Sequence, residues 1–265
     1  MRFSKLIIIA AAFVILAVIG GVLYVMSRKP ESDIAKLCSA QLSLFQVGFV
    51  YLGSSGILLR TRNLVAAIDV GGMLSSGQIS DISKLDLLVY THVHSDHFNI
   101  DVAQKIYEAT KCLVFAESSV YDSLSGKIPS SKLIKMKGGE VFRVSLAGGD
   151  IILRTVPGIH GSNITLVAFE ADGLRVFHGG DSGYTPQVAL LGPADVAFLP
   201  VGGASPTASP DDAAKMALDL RPKMVVLFHG NSDQYNAFLV QVKFILKAEI
   251  IVPEIGKLYI KDISS

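Results

Sequence analysis

The most informative segment of the chain is THVHSDH, residues 91–97. It places three of the chain's six histidines and one carboxylate inside a single short turn. Imidazole nitrogens and carboxylate oxygens are ligands that Zn²⁺, Mn²⁺ and iron accept readily. His92 and His94 are two positions apart and can converge on one metal ion. Asp96 and His97 are adjacent and project differently, which suits them to a second ion alongside.

The residues before this turn, DLLVY at positions 86–90, have the apolar character of a buried strand. Such a strand would deliver the turn to the end of a sheet. The alternative interpretation is a solvated loop in which the histidines are neighbours by chance. The spacing and the preceding strand favour a metal site, because catalytic metal sites need several convergent nitrogen and oxygen ligands.

Three candidate ligands downstream share one local pattern, in which an apolar run precedes the candidate and a glycine lies within two residues of it. They are His160 after residues 151–156, Asp181 after residues 174–178, and His229 after residues 224–228. Glycine permits the tight turns and the close backbone approach that a crowded metal site needs. His178 has no place in this ligand pattern, and it is either a packed residue or a contact of the substrate.

These motifs resemble the metallo-β-lactamase-fold superfamily of metal-dependent hydrolases, and the resemblance covers most of residues 43–260. The matching stretches are IDVGG at 68–72, the cluster at 92–97, GIHG at 158–161, HGGDSG at 178–183 and LFHG at 227–230. Within the superfamily, two stretches are most similar to the branch that contains ascorbate-phosphate lactonases and N-acyl-phosphatidylethanolamine phospholipases. These are GDSGY at 180–184 and FLPVGG at 198–203.

The resemblance implies two metal sites that share one ligand. The implied ligands are His92, His94 and His160 for the first ion, Asp96, His97 and His229 for the second, and Asp181 as the bridge. We expect two divalent ions at these sites. Zn²⁺ is the preferred metal, and Mn²⁺ or iron are the alternatives. Asp69 resembles the family's acidic residue beneath the site, so we expect it to orient a histidine through its ring N–H. The alternative for Asp69 is a turn-forming role before two glycines.

The chemistry implied by the resemblance is hydrolysis of an ester, lactone, amide or phosphodiester by a metal-bridging hydroxide. Asp96 and Asp181 are the residues to which we assign catalytic roles, and Asp96 is a candidate to steer water or pass a proton to the leaving group. Two alternatives stay open: an iron-dependent oxidoreductase on the same fold, and a binding protein that holds its metals without turnover. The expected substrate is a small or lipid-derived molecule.

Composition narrows the class of protein. The chain has 265 residues and a formal net charge of +1, which suits one large domain plus an appendage. Near-neutral charge without a basic stripe argues against a nucleic-acid partner. Only two cysteines occur, Cys38 and Cys112, so no disulfide framework is implied. We expect two free thiols, with a single bond between them as the alternative.

The appendage is the run of residues 6–26, which contains no charged side chain. As a helix it would span about 30 Å, enough to cross a bilayer. A cleavable signal peptide is the alternative, but the apolar run is long and has no small-residue cleavage site at its end. We therefore assign residues 1–29 to a single-pass membrane anchor, 30–42 to a linker and 43–265 to the hydrolase domain. The flanking charges are nearly balanced and favour, by a small margin, a catalytic domain outside the cytoplasm.

The pattern of elements indicates an α+β domain, and the resemblance implies a four-layer αββα sandwich behind an N-terminal transmembrane helix. Strands are predicted at residues 44–51, 56–60, 64–68, 150–156, 164–170 and 174–177, and helices at 101–110, 209–220 and 232–247. Asn163, Tyr184 and Tyr51 are either donors to a developing oxyanion or structural residues. The metal site is expected along one edge, where strand ends from both halves meet.

Overall fold

A computed structural model of the chain describes residues 31–72, 74–202 and 207–264. The predicted membrane anchor at residues 1–29 and the loop residues 203–206 lie outside these ranges. Among the helices of the described ranges, none is both long and apolar enough to cross a bilayer.

The first sheet contains the strand that precedes the histidine-rich turn. In sequence order its strands are β1 (Gln46–Gly53), β2 (Gly56–Arg60), β3 (Val65–Ile68), β4 (Leu87–Tyr90), β5 (Leu113–Glu117), β6 (Leu133–Met136) and β14 (Leu258–Asp262). Their spatial order is β14-β1-β2-β3-β4-β5-β6. Pairing is antiparallel from β14 to β3 and parallel from β3 to β6.

The second sheet contains the strands that precede the other candidate ligands. Its strands are β7 (Val141–Leu146), β8 (Gly149–Pro157), β9 (Thr165–Ala171), β10 (Leu174–His178), β11 (Val196–Pro200), β12 (Met224–Phe228) and β13 (Glu249–Ile251). Their spatial order is β13-β12-β11-β10-β9-β8-β7. Pairing is antiparallel from β7 to β10 and parallel from β10 to β13.

Helices cover the outer face of each sheet, and three apolar cores separate the four layers. The helices are α1 (Asp33–Ser39), α2 (Ser76–Asp81), α3 (Ile100–Thr110), α4 (Ser118–Leu124), α5 (Pro210–Leu220) and α6 (Ser232–Val242), with a 3-10 helix at Pro186–Leu191. Phe49 and Phe198 meet edge to face between the sheets, with ring centroids 5.6 Å apart. The predicted αββα sandwich is confirmed for the described residues.

Local capping explains where two of the predicted helices begin. Asn99 accepts hydrogen bonds from the backbone N–H groups at the start of α3, and Ser209 forms a capping box with Asp212 at the start of α5. A tight hairpin turn connects the antiparallel strands β9 and β10. Both of its central residues, Asp172 and Gly173, have positive φ, as such turns require.

The structure differs from the sequence interpretation at two helices. Residues 33–39, assigned to the linker, form α1, because Ile34 and Leu37 share one helical face and bury it against the first sheet. The helix predicted at 232–247 ends at Val242. The chain turns there to bring β13 alongside β12, and Ile245, within the predicted helix, is 60% exposed.

Candidate metal centre

The histidine-rich turn starts directly after β4, whose four residues are all buried. Backbone hydrogen bonds from the N–H groups of His97 and Phe98 to the carbonyl of His94, at 3.0 and 2.8 Å, fold the turn back on itself. His92 and His97 are fully buried, whereas His94 and Asp96 are half-buried. The turn therefore presents its side chains at the end of the strand, as the sequence indicated.

The first cluster consists of His92, His94 and His160, and their ring nitrogens lie within 4.8 Å of one another. Nε2 of His160 is 3.1 Å from Nδ1 of His94. His160 comes from the loop after β8, which two hydrogen bonds tie to the loop after β10. Ser182 Oγ accepts from the Ile159 N–H at 2.8 Å, and the Ile159 carbonyl accepts from the Gly183 N–H at 2.8 Å.

The second cluster consists of Asp96, His97, Asp181 and His229, whose ligand atoms also lie within 4.8 Å of one another. Oδ1 of Asp181 is 3.1 Å from Nε2 of His97 and 3.0 Å from Nε2 of His229. Oδ2 of Asp96 is 3.5 Å from each of the same two nitrogens. The rings of His92 and His97, with centroids 4.0 Å apart, join the two clusters.

The donor set of both clusters fits divalent metal ions. Within the described residues, Nε2 of His92 is buried and makes no hydrogen bond. Buried polar atoms are ordinarily hydrogen-bonded, so each exception needs a partner of another kind. Histidine nitrogens also face one another at 3.1 and 3.4 Å in the two clusters. Convergent nitrogen and carboxylate donors with unused lone pairs are typical of zinc or manganese sites.

Asp69 supports the second cluster from beneath. Its carboxylate is fully buried and accepts hydrogen bonds from the Thr91 N–H at 2.8 Å and the Thr91 hydroxyl at 2.6 Å. Oδ2 also lies 3.0 Å from Nδ1 of His97. Asp69 is near enough to His92 and His97 to form a third potential ligand group. Because both of its oxygens are already engaged, we assign it to holding the His97 ring with Nε2 towards the cluster.

The protonation states follow from burial and from the carboxylates. The pKa of His92 is lowered to about 3, first by burial and then by the charge of His97. Burial opposes protonation of His97 as well, but hydrogen bonds to Asp181, Asp69 and Asp96 outweigh it and raise the pKa to about 11. Three carboxylates around one buried ring therefore create a strong preference for positive charge at this position.

The two candidate catalytic carboxylates are ionised at neutral pH. Burial alone would raise the pKa of Asp181, yet hydrogen bonds from His229 and His97 hold it well below its usual range. The pKa of Asp96 is also lowered, chiefly by the hydrogen bond from His97 and against a smaller opposing effect of burial. Ionised carboxylates and a neutral His92 are the forms in which these groups bind metal.

Two serines at the site were missed from the sequence. Ser54 and Ser55 form the turn between β1 and β2, and Ser54 has a positive φ of 51°. The Ser54 hydroxyl donates to Asp96 Oδ2 at 2.8 Å and lies 3.2 Å from Nε2 of His229. The Ser55 hydroxyl lies 2.6 Å from Nδ1 of His97. The available signal was the GSSG sequence at residues 53–56, a small polar turn at a strand end.

The remaining candidates mostly have structural partners. His178 is fully buried, its Nε2 lies 2.9 Å from the Ser55 carbonyl, and its Nδ1 accepts from the Gly180 N–H at 3.1 Å. It is a packed histidine that joins the two halves. The Tyr184 hydroxyl donates to Asp219 and the Tyr51 hydroxyl to the Ser54 carbonyl, so neither points a free donor at the clusters. Asn163 is exposed in the loop that carries His160.

A groove of about 490 Å³ opens beside the first cluster, and His160 is part of its wall. The wall also contains Glu117, Ser118, Lys137, Ser162 and Asn163. Its lining is largely polar, and its volume provides room for part of a substrate next to the ring of His160.

The two cysteines, Cys38 and Cys112, were predicted to be free thiols. This prediction is confirmed, and both side chains are buried.

Comparisons with known proteins agree with this geometry. A family model described as the β-lactamase superfamily domain matches residues 72–230. A metal-dependent hydrolase of Thermus thermophilus is 31% identical, over 69% of this chain and 83% of the relative. Another, from Thermococcus onnurineus, is 32% identical over 56% of this chain and 68% of the relative. The solved structure of a metallo hydrolase from Ignicoccus hospitalis has a TM-score of 0.69 and 26% identity, covering 82% of this chain and 98% of that one.

Proposed function

The chain belongs to the β-lactamase superfamily of metal-dependent hydrolases, and we propose that it works with two divalent ions held side by side. The observation that supports a two-metal centre is the gathering of seven donor side chains, from four separate segments, into two adjoining clusters. A single structural ion would need only about four ligands. The excess of donors and their separation into two groups favour a pair.

The proposed ligands of each ion follow the two clusters. His92, His94 and His160 would hold the first ion, Asp96, His97 and His229 the second, with Asp181 between them. The bridging position of Asp181 is supported by its interactions with both clusters, because its Oδ1 lies 3.1 Å from Nε2 of His97 and its charge acts on His92. Zn²⁺ is the proposed metal, with Mn²⁺ or iron as alternatives, since imidazole and carboxylate suit all three.

Ions bound there would activate water as a nucleophile at neutral pH and polarise the bond to be cleaved. Side chains of the protein would position the reacting groups and transfer protons. Asp96 has the most exposed side chain of the second cluster, 42% against 5% for Asp181 and 22% for His229. The Ser54 hydroxyl holds one of its oxygens. Asp96 is therefore placed to take a proton and deliver it to the leaving group at the cluster's open side.

The substrate class that we propose is a small or lipid-derived ester, lactone, amide or phosphodiester. Its support is the polar groove that has His160 in its wall, which could accept the part of the substrate away from the cleaved bond. We also propose that residues 6–26 anchor the chain in a membrane, because they form an uncharged run of spanning length.

Metal analysis combined with a substrate panel tests the proposal. The full chain, purified without added metal, should carry two equivalents of zinc or manganese and cleave at least one model ester, lactone, amide or phosphodiester. His160→Ala should lose one equivalent, whereas Tyr184→Phe, which lies outside the clusters, should keep both. Two equivalents of iron with redox turnover would favour the oxidoreductase, and two ions without any turnover on the panel would favour the binding protein.

A further inference from the structure

Three apolar side chains protrude at the end of α6, in a turn that the metal centre does not use. Val240 is 74% exposed, Phe244 is 89% exposed and Ile245 is 60% exposed. We call these three residues the apolar tip. Val240 and Phe244 are four positions apart and so share one face of the chain, while Phe238 and Val242 on the other face are buried. Water-soluble proteins seldom leave a Phe so open, and adjacent exposed apolar residues mark a contact surface.

The apolar tip is flanked by positive charge. Lys243 and Lys247 are both exposed, and within the described residues neither pairs with a carboxylate. The Lys243 ammonium lies 5.3 Å from the centre of the Phe244 ring. Protruding aromatic and aliphatic groups next to unpaired lysines are typical of surfaces that enter the headgroup region of anionic lipids.

The apolar tip also lies on the edge of the sandwich at which the described domain begins. It leads into β13, the edge strand of the second sheet, and Glu249 of β13 pairs with Lys261 of β14, the edge strand of the first. Asp33, at the start of α1, accepts a hydrogen bond from the Leu258 N–H of β14 at 2.9 Å. Asp33 is the first residue of the domain, and the uncharged run 6–26 precedes it in the sequence.

We propose that the apolar tip inserts into an anionic bilayer surface and gives the domain a second attachment in addition to the N-terminal anchor. This inference rests on the proposed anchoring by residues 6–26. Helix α6 starts at Ser232, three residues after His229, and the apolar tip is at its other end, about 16 Å away. The apolar tip is therefore separated from His229 by the length of α6.

The chain contains no tryptophan, so Phe244→Trp introduces a single fluorescent reporter at the apolar tip. The full-length variant is reconstituted into vesicles of phosphatidylcholine and phosphatidylglycerol, with or without bromine on the acyl chains. We expect the emission to shift to shorter wavelength, and the brominated lipid to quench it at least twofold. The matched control is Val141→Trp, at a 52% exposed position in the opposite edge strand β7, which should be neither shifted nor quenched.

Charge reversal provides the second variant. Adding Lys243→Glu and Lys247→Glu to Phe244→Trp should reduce the quenching severalfold, because the lysines attract the anionic headgroups. If the chain pellets with the vesicles and Phe244→Trp is not quenched, the apolar tip does not bind lipid, although the anchor stands. If the chain does not pellet at all, both proposals are wrong.

If something other than lipid covers the apolar tip, the fluorescence of the Phe244→Trp variant will differ. An unquenched blue shift that disappears on dilution would mean that a second copy of the chain covers the apolar tip. An unquenched shift that is independent of concentration would mean that another segment of the same chain covers it. Either result would overturn insertion into the bilayer.

Discussion

At the scale of single residues, a few buried polar groups orient the histidines of the two clusters. Asp69 has a positive φ of 50°, a conformation that aspartate tolerates better than most residues. In that conformation one carboxylate accepts hydrogen bonds from Thr91 and also contacts Nδ1 of His97. The role expected for Asp69 from the sequence, orientation of a histidine, matches the contacts seen.

Replacing Asp69 should weaken the second metal site while leaving the first intact. Asp69→Asn keeps the shape but removes the charge that holds the N–H of His97, and such changes cost about 10–100-fold in metal affinity. Chelator competition on the full chain would measure this loss. The matched control is Asp172→Asn, a carboxylate that accepts from Thr61 and Asn63 in a distant hairpin. Equal metal affinity in both variants would show that Asp69 is only structural.

Asp96 is the second residue whose role can be separated from folding. Asp96→Asn retains an oxygen ligand but cannot carry a proton, so kcat should fall about 10²–10⁴-fold. The comparison requires the metal content of both proteins and their rates on a model substrate that the wild type cleaves. Unchanged turnover with two ions still bound would contradict the proton-transfer role.

At the scale of elements, the sequence predicted those parts whose signals are local. The start of α5 follows from its Ser-Pro-Asp-Asp sequence, and strand β4 follows from its apolar run. The end of α6 could not be predicted in this way. Apolar residues continue to Leu246, but the chain must turn at Val242 so that β13 can pair with β12. The serines at 54–55 were missed for a related reason. Their contact with residues 96 and 97 depends on how the first strands pair, which no local pattern encodes.

Helix α6 provides a matched pair of substitutions. Phe238 is fully buried against the second sheet, so Phe238→Ala should lower the free energy of unfolding by about 3–5 kcal/mol. Phe244→Ala, at the exposed apolar tip, should change it by less than about 0.5 kcal/mol. Urea unfolding of the full chain in detergent would measure both. Similar losses in the two variants would mean that the end of α6 packs differently from the structure described.

At the scale of the whole molecule, the metal centre joins the two halves of the sandwich. His92, His94, Asp96 and His97 follow a strand of the first sheet, whereas His160, Asp181 and His229 follow strands of the second. Repetition of one pattern, an apolar run followed by a ligand near a glycine, made this convergence predictable from the sequence. The supporting contacts from Ser54, Ser55 and His178 could not be predicted, because they depend on the packing of one sheet against the other.

Metal removal should therefore destabilise the entire domain. Ligand binding stabilises the folded state by mass action, so a chelator should lower Tm by several degrees, and added Zn²⁺ should restore it. Differential scanning calorimetry of the full chain in detergent would measure this change. An unchanged Tm after complete removal of metal would mean that the clusters do not couple the two sheets.

A crystal structure with data collected at the metal absorption edge would show whether seven side chains surround two ions. We expect two anomalous peaks about 3.5–4 Å apart. One should lie among His92, His94 and His160, the other among Asp96, His97 and His229, with Asp181 touching both. A single peak in a fully loaded crystal, or peaks away from these residues, would contradict the account.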